Sequence, residues 1–273
     1  MILGEVLRLA AEHLAKTAET PRLDAELLLA HALGRSRIEL YTDFDRPLSE
    51  AELTAYRELV ARRARREPVA YILGEWGFRR LTLTVDRRAL IPRPETEIVV
   101  ERCLERLRGS DAPAVLDVGT GSGAIALALA DEHQGARVTG IDLSAAALEL
   151  ARANVERTGI EIELRRHDLR DGFPGGPYDL VVSNPPYVAP GDLETLMPDV
   201  RDYEPHLALV GDGASEAVAR AAVDVLRPEG WLVLEVGDGQ AARTLALLGE
   251  LDYADGTITR DLAGRERVVE GRR

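Results

Sequence analysis

The 273-residue chain predicts an α/β protein: a mostly parallel sheet covered by helices on both faces, preceded by a small all-helical domain and a β-hairpin linker. Three observations carry that prediction. Apolar residues recur at helical spacing through residue 70. A short stretch of period-two alternation follows. From Glu95 onward, short apolar runs alternate with helical patterns of roughly 10–15 residues, the pattern of strands joined by helical crossovers.

The elements follow in order. Ile2, Leu3, Val6, Leu7, Ala10 and Leu14 line one side of a first helix. Thr20-Pro21 predicts an N-cap followed by proline at the first helical position, and Leu23, Leu27, Leu28, Ala30 and His31 continue that helix to Gly34. Ser36 caps a short turn through Tyr41. Ser49 and Glu52 form a capping box ahead of a helix carrying Leu53, Tyr56, Leu59 and Val60. Trp76-Gly77-Phe78 and the alternating Leu81–Val85 predict a hairpin, and Leu90-Ile91-Pro92-Arg93-Pro94 is extended because residues before proline leave the helical region. The expected division is a helical domain at 1–70, a hairpin linker at 71–93 and an α/β domain at 94–273.

In the α/β part, a helix through Leu107 precedes a strand at Val115–Val118. The helix Ala124–Glu132 leads to a strand at Val138–Ile141, and a helix runs from Ser144 to Gly159. Strands at Glu161–Arg165 and Leu180–Val182, a helix at Ser215–Leu226 and a strand at Trp231–Val236 follow. Gly256–Val269 reads as two strands closing one edge.

The charge is unevenly distributed. The net −13 divides into 11 basic and 13 acidic side chains in residues 1–75, and 23 basic and 34 acidic in the rest. So acidic a surface repels phosphate backbones and disfavours DNA. No apolar run is long enough to cross a membrane, and the N-terminus lacks the pattern of a signal peptide. Cys103 is the only cysteine, which fits a reducing cytoplasm, and it falls on the apolar face set by Val99, Val100, Leu104 and Leu107. The five histidines have no metal-ligand spacing, so no metal is expected. Arg62-Arg63-Ala64-Arg65-Arg66 reads as a solvated helix C-terminus, where cations suit the dipole.

Three motifs carry chemistry. Asp117-Val118-Gly119-Thr120-Gly121-Ser122-Gly123 ends a strand and opens a helix, where glycines let the backbone approach a ligand closely. Asp142 ends the next strand, where a carboxylate accepts hydrogen bonds from both ribose hydroxyls of an adenosine. These two features fit nicotinamide cofactors and S-adenosylmethionine alike. Ser183-Asn184-Pro185-Pro186-Tyr187 separates them. It follows a strand at the carboxyl edge of the sheet, where an Asn carbonyl and a neighbouring main-chain carbonyl accept both protons of a planar NH2 group, with Tyr187 packed on its face. That arrangement aims a nitrogen lone pair at an electrophile. A nicotinamide-dependent oxidoreductase leaves Asn184–Tyr187 without a role.

The ordered set Asp117–Gly123, Asp142, Asp168 and Asn184–Tyr187 resembles the class I S-adenosylmethionine-dependent methyltransferases that modify amino or amide nitrogens. Ile91-Pro92-Arg93-Pro94-Glu95-Thr96-Glu97, Asp199-Val200-Arg201-Asp202-Tyr203-Glu204-Pro205 and the stretch Glu67-Pro68 through Gly74 resemble one branch, the bacterial peptide chain release factor N5-glutamine methyltransferases. The resemblance implies a Rossmann-like domain with a seven-stranded sheet. It assigns the methionine part of the cofactor to Gly119, Thr120, Gly121, Ser122 and Gly123, the ribose to Asp142, and the adenine to Asp168 and Leu169, where some relatives carry an aromatic residue. Asn184 borders both substrates. Asn184, Pro185, Pro186 and Tyr187 would hold the glutamine amide, with Asn184, Pro185 and Tyr187 catalytic. It further implies class 1 release factors as protein substrate, through the glutamine of their Gly-Gly-Gln tip, S-adenosyl-L-homocysteine as product, and neither DNA nor membrane as partner. Glutamine methylation of a ribosomal protein and N6-adenine methylation of DNA are the alternatives in the same chemistry. A binding module without catalysis would not need every motif intact.

Overall fold

Five helices build the N-terminal unit: α1 (Leu3–Leu14), α2 (Pro21–Leu33), α3 (Arg37–Thr42), α4 (Glu50–Ala64) and α5 (Val69–Leu73). Ser36 with Glu39 and Ser49 with Glu52 make reciprocal capping boxes at α3 and α4. Gly34 ends α2 in the left-handed region at φ 62°. Thr20 differs from expectation: its hydroxyl donates to the Asp24 carboxylate at 2.8 Å instead of capping a backbone N–H. Leu3, Leu7, Leu28, Leu29 and Tyr56 fill the core, and the Tyr56 hydroxyl donates to the Ala25 carbonyl at 3.1 Å.

The arginine run is only in part a solvated face: Arg65 is exposed, but the other arginines are paired. Arg63 is buried, donating to Asp24 at 2.7 Å and to Asp199 at 2.6 Å, while Arg62 is bidentate to Glu67. Asp199 belongs to this unit because Met197–Tyr203 joins residues 1–75 in one compact body. The structure, a computed structural model describing residues 1–273, therefore draws on a segment that the sequence reading placed in the α/β part. α5 straddles the boundary at residues 70–71 between the expected helical domain and linker.

The second unit holds Trp76–Leu196 and Glu204–Arg273. Its hairpin, β1 (Glu75–Phe78) and β2 (Leu81–Thr84), buries Phe78 and Leu83 against Val99, Val100 and Leu127. The elements after it are α6 (Thr96–Arg106), β3 (Ala114–Val118), α7 (Ala124–Glu132), β4 (Arg137–Asp142), α8 (Ala145–Thr158), β5 (Glu163–Arg166) and β6 (Tyr178–Ser183). The chain then runs through α9 (Pro198–Arg201, in the helical unit), α10 (His206–Leu209), α11 (Ala214–Val225), β7 (Leu226–Glu235), α12 (Ala241–Glu250), β8 (Ala254–Arg260) and β9 (Glu266–Arg272). Fully buried Asn154 of α8 fixes the hairpin: its carbonyl accepts Thr84 N–H at 2.7 Å, and its NH2 donates to the carbonyls of Thr84 and Ser122.

Seven strands form the main sheet in the order β5-β4-β3-β6-β7-β9-β8, parallel except for the β9 pairings. One apolar layer packs Val115, Leu127, Leu180 and Cys103 together, and the other packs Leu116, Val181, Val218, Ala222 and Leu248. Strand order reverses between β3 and β6, and a crevice opens at that point outside the carboxyl ends of parallel strands. Val118 and Ser183 are register partners there, and the Ser183 hydroxyl donates to the Val118 carbonyl at 2.7 Å. The glycine loop after β3 and the Asn-Pro-Pro-Tyr motif after β6 thus leave the sheet side by side.

Candidate active site

The cavity at this crevice measures about 300 Å³. The glycine loop forms one wall. Gly119 and Thr120 N–H groups donate to the Ile141 carbonyl, which ties the loop to β4. Gly119 has φ +73°, and an added Cβ would meet nothing within 4 Å, so the turn demands glycine while the backbone faces open space.

Asp142 follows at the end of β4. Its two oxygens accept Gly121 N–H at 2.9 Å and Ser144 N–H at 2.8 Å, leaving lone pairs for hydroxyl donors. Burial raises its pKa above the usual carboxylate value, against the pull of those backbone donors. Asp117, fully buried, is pushed up further, to about 7, by burial, while the Thr120 hydroxyl at 2.6 Å acts in the opposite direction. The second Asp117 oxygen has no hydrogen-bond partner.

Asp168 and Leu169 also line the cavity, together with His167 and Leu143. Arg170 holds both Asp168 oxygens and draws its pKa down to about 2. Asn184, Pro185 and Pro186 line the cavity too, with Thr96, Arg93 and Pro205.

Ten of the residues expected from the sequence therefore meet in one cavity, and two do not line it. Gly123 caps α7 at φ +82°, where an added Cβ would sit 3.3 Å from Leu127 and 3.4 Å from Ala151, so it serves the packing of α7 against α8. Tyr187 turns toward Gly237, its carbonyl accepts the Gln240 side-chain NH2 at 3.0 Å, and burial raises its phenol pKa.

Sequence reasoning gave no site role to three residues around this cavity: Thr96, which lines it, and buried Glu235 and Glu204. Asn184 Nδ2 donates to Thr96 Oγ1 at 3.3 Å, and Thr96 Oγ1 donates to Glu235 Oε2 at 2.6 Å. Glu235 is 2% exposed, and burial pushes its pKa up to about 7 while Thr96 and then Arg267 oppose the rise. Buried Glu204 accepts the Ile91 N–H at 3.1 Å and pairs with Arg93. One signal was available for Glu235: a lone carboxylate in the apolar run Trp231–Val236.

An open glycine turn, a half-buried carboxylate with spare lone pairs and a mainly apolar lining fit a nucleoside joined to an amino acid. Fold and site together define a class I, S-adenosylmethionine-dependent methyltransferase. Residues 5–74 match the model of the PrmC N-terminal domain, and residues 96–200 that of the methyltransferase small domain. The release factor glutamine methyltransferase of Geobacter sulfurreducens is 45% identical over 263 residues, covering 94% of this chain and 91% of the relative. That of Chlorobaculum tepidum is 45% identical over 260 residues, covering 90% and 88%. Among solved structures, the T. thermophilus 16S rRNA N2 G1207 methyltransferase RsmC, in complex with AdoMet and guanosine, shares the fold at a TM-score of 0.55. Its identity is 21%, covering 73% of this chain and 49% of that one. The chain belongs to the release factor glutamine methyltransferase family. No helix in it is long and apolar enough to cross a membrane.

Proposed function

We propose that this chain transfers a methyl group from S-adenosylmethionine to the side-chain amide nitrogen (N5) of the glutamine in the Gly-Gly-Gln tip of class 1 release factors, in the cytoplasm. The observation that carries the reading is the shared cavity of the glycine loop, Asp142 and Asn184–Pro186. Family membership supplies the class of acceptor.

S-adenosylmethionine, when bound, supplies an electrophilic methyl group on a positively charged sulfur. The loop from Gly119 to Ser122 would seat its amino-acid part and Asp142 its ribose, with Asp168 and Leu169 at the adenine. An amide nitrogen is a poor nucleophile because its lone pair is delocalised into the carbonyl. The Asn184 carbonyl and the Pro185 main-chain carbonyl would accept its two N–H groups, holding electron density on nitrogen as it pyramidalises. Pro185 and Pro186 stiffen that strand end, so the acceptors are fixed before substrate arrives. The methylated nitrogen is more acidic, and its extra proton leaves to solvent without a dedicated strong base.

The helical unit is proposed to grip the release factor. It exposes Ile38 (78%), Tyr41 (55%) and Phe44 (42%), side chains that a protein partner would cover.

The test is transfer of labelled methyl to a release factor with its tip glutamine intact or replaced by alanine. Label should appear only in the intact factor, as a methylated glutamine by mass spectrometry. Equal labelling of both would overturn the reading.

A further inference from the structure

We propose that Thr96 and Glu235 are positioning residues that fix which end of the Asn184 amide faces the acceptor substrate. The inference rests on the glutamine-methylation reading above and extends it to two side chains that act through that amide.

The argument is one of donors and acceptors. A carboxylate only accepts, so Glu235 takes the single hydroxyl proton of Thr96 at 2.6 Å. With that proton committed, Thr96 Oγ1 offers only lone pairs to Asn184, and the Asn184 NH2 end is the end that can use them, at 3.3 Å. The opposite end, Oδ1, is left as the acceptor that a substrate NH2 group needs. Reversing the relay reverses the amide. A protonated Glu235 donates to Thr96, whose own proton then turns to Asn184 and selects the carbonyl as its partner. The Asn184 NH2 would then confront the substrate NH2, donor against donor.

Burial makes the relay strict. Thr96 is 4% exposed and Glu235 2%, so water is not at hand to supply alternative partners. The contact bridges 139 residues of sequence and joins the start of α6 to the end of β7 beneath the motif after β6. Glu235 is faced by Thr96, Glu95 and Arg93 from the α6 side, by Arg267 of β9 and by Tyr187 of the loop after β6. Its pKa, raised to about 7, puts the proton that would reverse the relay within reach of ordinary assay conditions.

The test compares Thr96→Val, which keeps the shape and removes the hydroxyl, with Thr96→Ser, which keeps the hydroxyl. Steady-state transfer to intact release factor at saturating cofactor is measured alongside cofactor affinity by calorimetry. Thr96→Val should lower kcat by about 100-fold, the scale of a misoriented reacting group, with cofactor affinity unchanged within threefold. Thr96→Ser should recover most of that loss. Wild-type kcat should fall as pH drops from 8 to 6, and Glu235→Gln should flatten that limb. Equal activity in Thr96→Val and wild type overturns the relay, as does an equal loss in the serine and valine variants, or an acid limb unchanged in Glu235→Gln. Wild-type enzyme that labels no glutamine sinks the functional reading instead, so the two failures are distinguishable.

Discussion

Inside the helical unit, the Arg63 guanidinium donates to the Asp24 carboxylate at 2.7 Å with both side chains under a tenth exposed. A buried pair contributes little over an apolar substitute of the same size, yet removing one partner strands the other charge. Arg63 is held on two sides, since Asp199 accepts from its other nitrogen. Arg63→Ala therefore leaves the Asp24 carboxylate without its cation and Asp199 with Arg66 alone, and should destabilise this unit by about 3 kcal/mol. Urea unfolding monitored by circular dichroism measures it. A loss below about 0.5 kcal/mol, the range of ordinary surface changes, would contradict the pairing.

Asn184→Ala removes the proposed acceptor for the substrate amide without touching the glycine loop. Transfer should fall by at least about 100-fold, the scale seen when one oriented hydrogen-bonding group is removed from a reacting centre. Cofactor affinity should stay within a few fold. Isothermal titration with cofactor and a labelled-methyl assay separate the two, and unaffected transfer would remove Asn184 from the mechanism.

Gly211 supports the same motif from behind. An added Cβ there would sit 2.7 Å from the Pro186 carbonyl oxygen and 2.6 Å from its Cγ. Real Cβ atoms do not approach backbone so closely, and Val188 and Val210 hold the two segments together as a parallel bridge. Gly211→Ala must push Pro186 aside. The expected outcome is kcat lowered about tenfold or more by misplacement of the acceptor wall, with cofactor binding intact. Steady-state kinetics with release factor as the varied substrate decide it.

Glu235 also links stability to pH. Its pKa is raised by burial from 4.5 to about 7, so the native state holds the proton more tightly than the unfolded chain. The corresponding stabilisation is complete below about 4.5 and is lost as pH rises through 7. Glu235→Gln has no proton to lose. Relative to the variant, wild type should therefore weaken between pH 5 and pH 8, by about 2 kcal/mol. Asp117, raised to a similar value, is present in both proteins and cancels in the difference. Thermal melts of both proteins at the two pH values check it, and parallel curves would refute the assignment.

The apolar patch on the helical unit offers a separate test. Ile38→Glu with Tyr41→Ala should raise KM for a folded release factor by about tenfold, since exposed anchors of this kind carry much of an interface. KM for a short Gly-Gly-Gln peptide should not move, even though the melting temperature falls where Tyr41 no longer donates to buried Glu26. An equal change for factor and peptide would place the effect at the cavity and not at the patch.

Local chemistry made much of this molecule readable from its sequence. Ser36 and Ser49 with their partners three residues on, Pro21 and Gly34 at the two ends of one helix, and Ala124–Glu132 after the glycine turn all specify structure within a few residues. Most of the cavity was legible for the same reason, because Gly119–Ser122 and Asn184–Pro186 each close a strand. Helix α12 was overlooked. Its alanines blur the contrast between faces, although Ala241, Thr244 and Leu248 do turn inward at helical spacing. What could not be read was non-local. The arginine run looked solvated because nothing nearby in sequence identifies Asp24 and Asp199 as partners, and Thr96 with Glu235 lie 139 residues apart.

Met197–Tyr203 changes how the protein can be taken apart. The chain passes between its two units at 75–76, again at 196–197 and once more at 203–204. The N-terminal helices are consequently not an interchangeable cassette: cutting after Glu75 would leave behind the segment that carries Asp199, the partner of Arg63. A transplant of substrate preference from a relative has to carry both pieces, residues 1–75 and 197–203, because a single-junction chimera would split the Arg63–Asp199 pair between two parents.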